Sequence, residues 1–181
     1  MQTIRFAIIG DQGVGKSNLL RRFYIGTYNK YNIPLDNHTM SEIMITTHGH
    51  INIEITEVHE EIPENCDGVI IMFDTQNLES FTNLQHHVKK AKLLTNNIVI
   101  IGNKVDLKYR TVKWKDIKKM AFRYKYYEYS CRSNYQLEKP IVYLLQQIYD
   151  DDFKFLEQPP IDPPEVLNID ELLKDPKFTN I

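Results

Sequence analysis

The sequence predicts an α/β fold with a six-stranded, mostly parallel sheet and helices on both faces. Three observations lead there. Short apolar runs at 4–9, 69–73 and 98–101, and a short strand at 126–129, are each followed by residues at helical spacing. Isoleucines alternating with polar residues add one hairpin. Each of the four segments stops at a small or polar residue, namely Gly10, Asp74, Gly102 and Ser130. Strands separated by helices need crossover connections, which favour parallel pairing and a sheet covered on both sides.

Residues 4–9 read as a buried strand ending at Gly10. A helix then starts near Gly15 and buries Leu19, Leu20 and Phe23. Ile43 and Ile45, then Ile51, Ile53 and Ile55, alternate across His48-Gly49-His50, so two half-buried strands are expected with the isoleucines inward. Residues 69–73 form the next strand, closed by Asp74. Phe81, Leu84, Val88 and Lys92 are three or four apart and predict one helix. Residues 98–101 are a strand that runs into Gly102-Asn103-Lys104-Val105-Asp106. A basic helix follows over 115–124, then a strand at 126–129 and an amphipathic helix carrying Leu137, Ile141, Leu144, Leu145 and Ile148. Prolines 159, 160, 163 and 164 interrupt regular structure beyond Asp150. The division expected is a domain over 1–150 and a tail over 151–181, with one short helix at 165–174.

A chain of 181 residues with 42% apolar content can bury one core. The formal charge of −2 gives no general attraction to nucleic acid or anionic membrane. Two cysteines, Cys66 and Cys131, make no disulfide framework and suit a reducing compartment. There is no secretory pattern at the start, no span of membrane length, and no cysteine in the closing Phe178-Thr179-Asn180-Ile181 to carry a lipid. A monomer without a membrane anchor is expected.

Gly10-Asp11-Gln12-Gly13-Val14-Gly15-Lys16-Ser17 has the P-loop pattern and lies between a strand and a helix. In that context backbone N–H groups form a concave nest, and the helix N-terminus adds a positive dipole end. Glycines let the backbone approach phosphates. Lys16 would supply charge to the terminal phosphates and Ser17 a hydroxyl to Mg²⁺. Asn18 completes the phosphate-side candidates. A glycine-rich turn with a solvated lysine would satisfy the letters alone.

Asn103-Lys104-Val105-Asp106 follows a buried strand on the same edge of the sheet. The Asp106 carboxylate can accept from both N1–H and the exocyclic amine of guanine. Adenine would leave that carboxylate unpaired. Asn103 can brace the loops, the Lys104 stem can cover one face of the base, and Tyr28 can meet the purine edge-on. Asn-Lys-x-Asp alone is a common polar loop; behind a P-loop it points to guanine.

These motifs, in this order, resemble the Ras superfamily of small GTPases, P-loop NTPases by fold. Several stretches resemble its Ran branch: Ile70-Ile71-Met72-Phe73-Asp74, the run Gly102 to Lys108 with Arg110 and Val112-Lys113, Ser133-Asn134-Tyr135 with Glu138-Lys139-Pro140, and Phe153-Lys154-Phe155-Leu156-Glu157 with Pro163-Pro164-Glu165-Val166. The likeness covers nearly the whole chain and is weakest over 33–67. It implies GTP or GDP with Mg²⁺ as cofactors, nuclear transport receptors and a nucleotide exchange factor as partners, and a place in nucleus and cytoplasm. It also puts the base loop on Ser130-Cys131-Arg132, with the Cys131 N–H toward the guanine oxygen, and a receptor-facing basic patch on Lys115, Lys118, Lys119 and Arg123. A solvated helix face explains that patch equally well.

The chain departs from this pattern where hydrolysis is served. Pro34 falls at the threonine that meets Mg²⁺ and the γ-phosphate, and proline has neither hydroxyl nor N–H. After the third strand comes Glu57-Val58-His59-Glu60-Glu61. Glu57 stands in for the metal-facing aspartate, Glu60 for a glycine, and Glu61 for the water-orienting glutamine. Two carboxylates near a triphosphate would repel it if partly buried. The loop from His59 to Asp67 is short for a helix, and Gln12 crowds the γ-phosphate. No catalytic residue is intact on this reading, so binding with weak or absent hydrolysis is expected. The alternative is a non-hydrolysing interaction module, an adaptor or competitor for transport factors. His48, His50 and His59 match no zinc spacing, and His86-His87 reads as an exposed helix face.

Overall fold

The computed structural model describes residues 1–25, 38–121 and 123–156. Tyr28 and Pro34, with the short helix expected at 165–174, lie outside the described residues. The elements run β1 (Gln2–Ile9), α1 (Lys16–Ile25), β2 (Thr39–Thr46), β3 (Gly49–Glu57), β4 (Gly68–Asp74), α2 (Leu78–Thr82), α3 (Leu84–Lys92), β5 (Ile98–Asn103), α4 (Trp114–Ala121), β6 (Lys125–Glu128) and α5 (Lys139–Ile148). They build one six-stranded sheet in the order β2-β3-β1-β4-β5-β6. Among the six strands, β2 and β3 pair antiparallel and the other neighbouring strands pair parallel. The predicted α/β architecture is the one observed, a mixed sheet of the P-loop NTPase type.

Period-two alternation splits the central strands between two cores. Ile4, Phe6 and Ile8 of β1, Ile70 and Met72 of β4, and Val99 and Ile101 of β5 join Leu19 and Leu20 of α1 and Leu144 and Leu145 of α5. Ala7, Ile9, Ile71, Phe73 and Ile100 face the opposite way, onto Leu84 and Ala91 of α3 and Ile117 of α4. Continuous apolar runs are therefore buried on both sides, as parallel strands under two helical layers must be. No helix among the described residues is long and apolar enough to cross a membrane.

Two expectations change. The residues from Phe81 to Lys92 do not form one helix. Asn83 separates α2 from α3, and Asn77 caps α2 through its side-chain oxygen, which accepts from Glu79 and Ser80 N–H. In β2 the isoleucines do not face the core. Met40 and Met44 pack inward, opposite Ile55 and Ile51, while Ile43 is 48% exposed. The pairing register decides this, because a one-residue change in facing moves every side chain of the strand. Residues 151–156 pack against the body. Phe153 is fully buried and stacks with Tyr149 and His48, and His48 Nε2 lies 2.9 Å from Asp150 Oδ2. Thr47 N–H donates to Lys154 carbonyl at 3.1 Å, and Leu156 N–H to Ile45 carbonyl at 2.9 Å. Phe153→Ala is expected to cost roughly 3–5 kcal/mol of stability, read as a lower midpoint of denaturant unfolding.

β1 pairs with β3 on one side and with β4 on the other. The strand order thus reverses around β1, and in open α/β sheets ligands bind beyond the C-terminal ends of the strands at such a point. Gly10 stands there.

Candidate functional site

The turn over 10–15 leads from β1 into α1, and its backbone requires glycine. Gly10 has φ +145° and Gly15 φ +108°. A Cβ on Gly10 would collide with the Met72 carbonyl oxygen of β4, and one on Gly15 with the Asn103 side-chain amide. Gly13, at φ +80°, faces open space. Val14 is buried, and Gln12 is exposed at the rim.

Lys16 opens α1 and is 4% exposed. Its ammonium donates to the carbonyls of Gly10 at 2.9 Å and Asp11 at 3.1 Å. Burial lowers its pKa from the ordinary lysine value, with the nearby Glu57 and Asp11 charges opposing. Ser17 follows and donates its hydroxyl to Glu57 Oε2 at 2.6 Å. Glu57, the last residue of β3, is 6% exposed, and its other oxygen lies 3.9 Å from Lys16 Nζ. Asn18 lies half-buried in the first turn of α1.

Asp11 is tied to the neighbouring helix. Its carboxylate accepts from Asn83 Nδ2 at 2.8 Å, and His87 Nε2 lies 2.8 Å from its other oxygen. The reading of His86-His87 as an exposed pair is therefore corrected for His87, whose side chain is 17% exposed. The spacing held a usable signal: His87 is three residues after Leu84 and four before Ala91, both buried.

On the base side, Asn103 is 2% exposed. Its Nδ2 donates to the Val14 carbonyl at 2.8 Å, and its Oδ1 accepts from Cys131 N–H at 3.3 Å. One buried amide joins the P-loop to the 130–132 loop. Asp106 Oδ1 accepts from Ser130 Oγ at 2.6 Å, and Arg132 Nη1 stands 4.0 Å from Oδ2. Lys104 sits at φ +67°, and its ammonium donates to Asp74 Oδ2 at 2.8 Å, which ties down the end of the stem expected to cover the base. Ser130 is closed into a turn by reciprocal backbone bonds with Tyr135.

Burial pushes the Cys131 thiol up to about 12, and burial likewise raises Cys66, whose Sγ donates to the Gly68 carbonyl at 2.8 Å. A thiol with that pKa is ionised to roughly one part in ten thousand at pH 8. Neither cysteine is expected to react with a thiol reagent in the native protein. Titration before and after denaturation checks this, with both thiols appearing only after unfolding.

Glu60 and Glu61 are exposed. The condition set for strong repulsion of a triphosphate, partial burial of these carboxylates, is not met, and solvent screens them. No helix forms between Val58 and Asp67, as the shortness of that loop implied.

The donors fit the groups the pattern implies. Glycines at positive φ clear a concave backbone, a buried lysine lies beneath it, and a carboxylate held by Ser130 stands at the far end. Ser17 and Glu57 offer two hard oxygens 2.6 Å apart, close to the roughly 2.9 Å edge of an Mg²⁺ octahedron. The same two residues would hold the ion, which when bound neutralises phosphate charge. A family model described as Ras family matches residues 5–150.

Proposed function

This chain belongs to the Ras family of GTP-binding small GTPases, and from that premise we propose that it is a Ran-like, nucleotide-dependent factor in nucleocytoplasmic transport with weak or absent GTP hydrolysis. The proposed guanine-nucleotide site runs over residues 10–18, Tyr28, Asn103, Lys104, Asp106 and 130–132, with Mg²⁺ at Ser17 and Glu57. The observation that carries the nucleotide part is the Asn103 amide, which holds the P-loop and the 130–132 loop in one frame. A nucleotide must be gripped at both ends, and this bond sets their spacing.

The roles of the residues follow from their environments. The P-loop backbone cups the phosphates, Lys16 holds their charge, and Asp106 selects guanine by accepting two N–H groups. Ser130 orients Asp106 by donating to one carboxylate oxygen.

Weak hydrolysis is supported by side chains. A glutamine orients the attacking water through an amide that donates and accepts; Glu61, when ionised, only accepts, and it lies exposed on a helix-free loop. Single-turnover hydrolysis is expected to run slower than about 10⁻⁴ per second, below the intrinsic rate of ordinary Ras proteins. A normal rate, raised further by an activating protein, would overturn this.

The transport assignment rests on the sequence resemblance, including Ser133-Asn134-Tyr135. Asn134 adopts φ +64° and accepts from Arg22 Nε at 3.1 Å. The partners proposed are transport receptors and an exchange factor, the location nucleus and cytoplasm, and residues 151–181 the tail of a domain over 1–150. Lys115, Lys118, Lys119 and Arg123 are exposed on and just after α4 and offer receptors a basic face. A second reading is an interaction module without a working switch. It is favoured by that basic face, which lies on a helix outside the nucleotide site. Receptor capture with the chain loaded with GTP, then GDP, separates the two: capture that depends on the nucleotide supports the switch, and equal capture supports the module.

A further inference from the structure

A second cluster of ligand-bearing side chains lies beside the Ser17–Glu57 pair. His38 immediately precedes β2, Glu57 closes β3, and His59 comes two residues later. The strand ladder brings them together. Thr39 is in register with Thr56, and Glu57 N–H donates to the His38 carbonyl at 2.7 Å. Val58 N–H donates to the Ile8 carbonyl at 2.9 Å, which fixes the backbone between Glu57 and His59 against β1. One ligand atom from each of the three side chains lies within 4.8 Å of the other two. The two imidazoles stand edge to face with centroids 5.1 Å apart, and His59 Nε2 is 3.6 Å from Glu57 Oε1. The carboxylate is buried and both histidines are exposed.

We propose that His38, Glu57 and His59 form a binding site for a divalent transition-metal ion of the zinc class, held by two imidazole nitrogens and one carboxylate oxygen. Imidazole suits zinc, copper, nickel and cobalt, whereas Mg²⁺ and Ca²⁺ take oxygen. Ligand atoms around tetrahedral zinc are about 3.4 Å apart, and the His59–Glu57 separation is already close to that. The His38 ring is exposed and closes the remaining gap by side-chain rotation. The feature opposing a cation is Lys16 Nζ, 3.9 Å from the same carboxylate oxygen. Its bonds to the Gly10 and Asp11 carbonyls hold it back on the P-loop.

The two oxygens of Glu57 thus face different chemistry: Oε2 meets the Ser17 hydroxyl, and Oε1 meets an imidazole. The second ion is separate from the Mg²⁺ of the nucleotide site and softer in its ligands. It would join the chain just before β2 to the start of the 59–67 loop. In Ras-type proteins the third phosphate and its Mg²⁺ hold these two segments. A metal clasp here would hold them whichever nucleotide is bound. Two other histidines have partners elsewhere, His48 at Asp150 and His87 at Asp11.

The test titrates Co²⁺ alone, as an optical probe, into the full chain loaded with a fluorescent GDP analogue and Mg²⁺. One equivalent is expected to give the visible absorption of a four- or five-coordinate, nitrogen-ligated ion, reversed by Zn²⁺. His38→Ala and His59→Ala should each weaken binding at least ~10-fold, and His86→Ala should leave it unchanged. Absence of the absorption, or binding that survives in the double variant His38→Ala/His59→Ala, overturns the proposal. Retention of the fluorescent nucleotide, read in the same samples, reports separately on the guanine site.

Discussion

Gly10→Ala is expected to be among the most damaging single substitutions in this chain, lowering stability by roughly 3–5 kcal/mol. Two costs fall on one atom. The backbone there has φ +145°, which L side chains rarely adopt, and the new methyl would meet the Met72 carbonyl. That carbonyl belongs to a central strand with β1 on one side and β5 on the other, so it has no room to withdraw. The loss is a large fraction of the 5–15 kcal/mol that ordinary domains possess. Urea unfolding monitored by circular dichroism measures it. Gly49→Ala is the control: its φ is +89°, but a methyl there meets nothing within 4 Å. It should cost only about 1 kcal/mol. Equal losses at the two glycines would show that the collision with Met72 contributes nothing.

Asp106→Asn is expected to exchange the preferred base. On the proposed binding mode the carboxylate accepts from two guanine N–H groups. Ser130 donates to one carboxylate oxygen, and it would keep the asparagine carbonyl on that side. The amide NH₂ would then point where an acceptor is required. Guanine affinity should fall on the order of 10²-fold or more, because two buried donors oppose each other. Xanthine carries a carbonyl in place of the exocyclic amine, which the asparagine amide can meet. Competition by guanosine and xanthosine diphosphates against one fluorescent nucleotide measures both effects. Unchanged guanine affinity would remove Asp106 from the base site.

The sequence was most informative where periodicity and backbone chemistry agree. The double-sided burial of β4 and β5 follows from unbroken apolar runs, that of β1 from the run Phe6 to Ile9 after Arg5, and the position of Gly10 follows from a strand ending in glycine. It was least informative where a contact is made across the fold. The Asp11–His87 and Lys104–Asp74 pairs span 76 and 30 residues, and only the assembled sheet brings them together. The facing of β2 is not legible in the sequence, because Met40 and Met44 compete with Ile43 and Ile45 for the core. Hydrophobicity alone cannot choose between them; the pairing with β3 does. His38 carries no signal in the sequence, since its partners, Glu57 and His59, become neighbours only once the hairpin folds.

The short backbone pairing between residues 154–156 and the end of β2 bears on solubility. Among the described residues β2 is the outermost strand on its side of the sheet, and an outermost strand is a template on which a second chain can continue the ladder. The bonds from Leu156 to Ile45 and from Thr47 to Lys154 occupy that template at its far end, and Ile43 lies exposed just before it. Residues 154–156 therefore act as a gatekeeper against strand addition. Peeling them away would favour self-association through β2 as well as loosening Phe153.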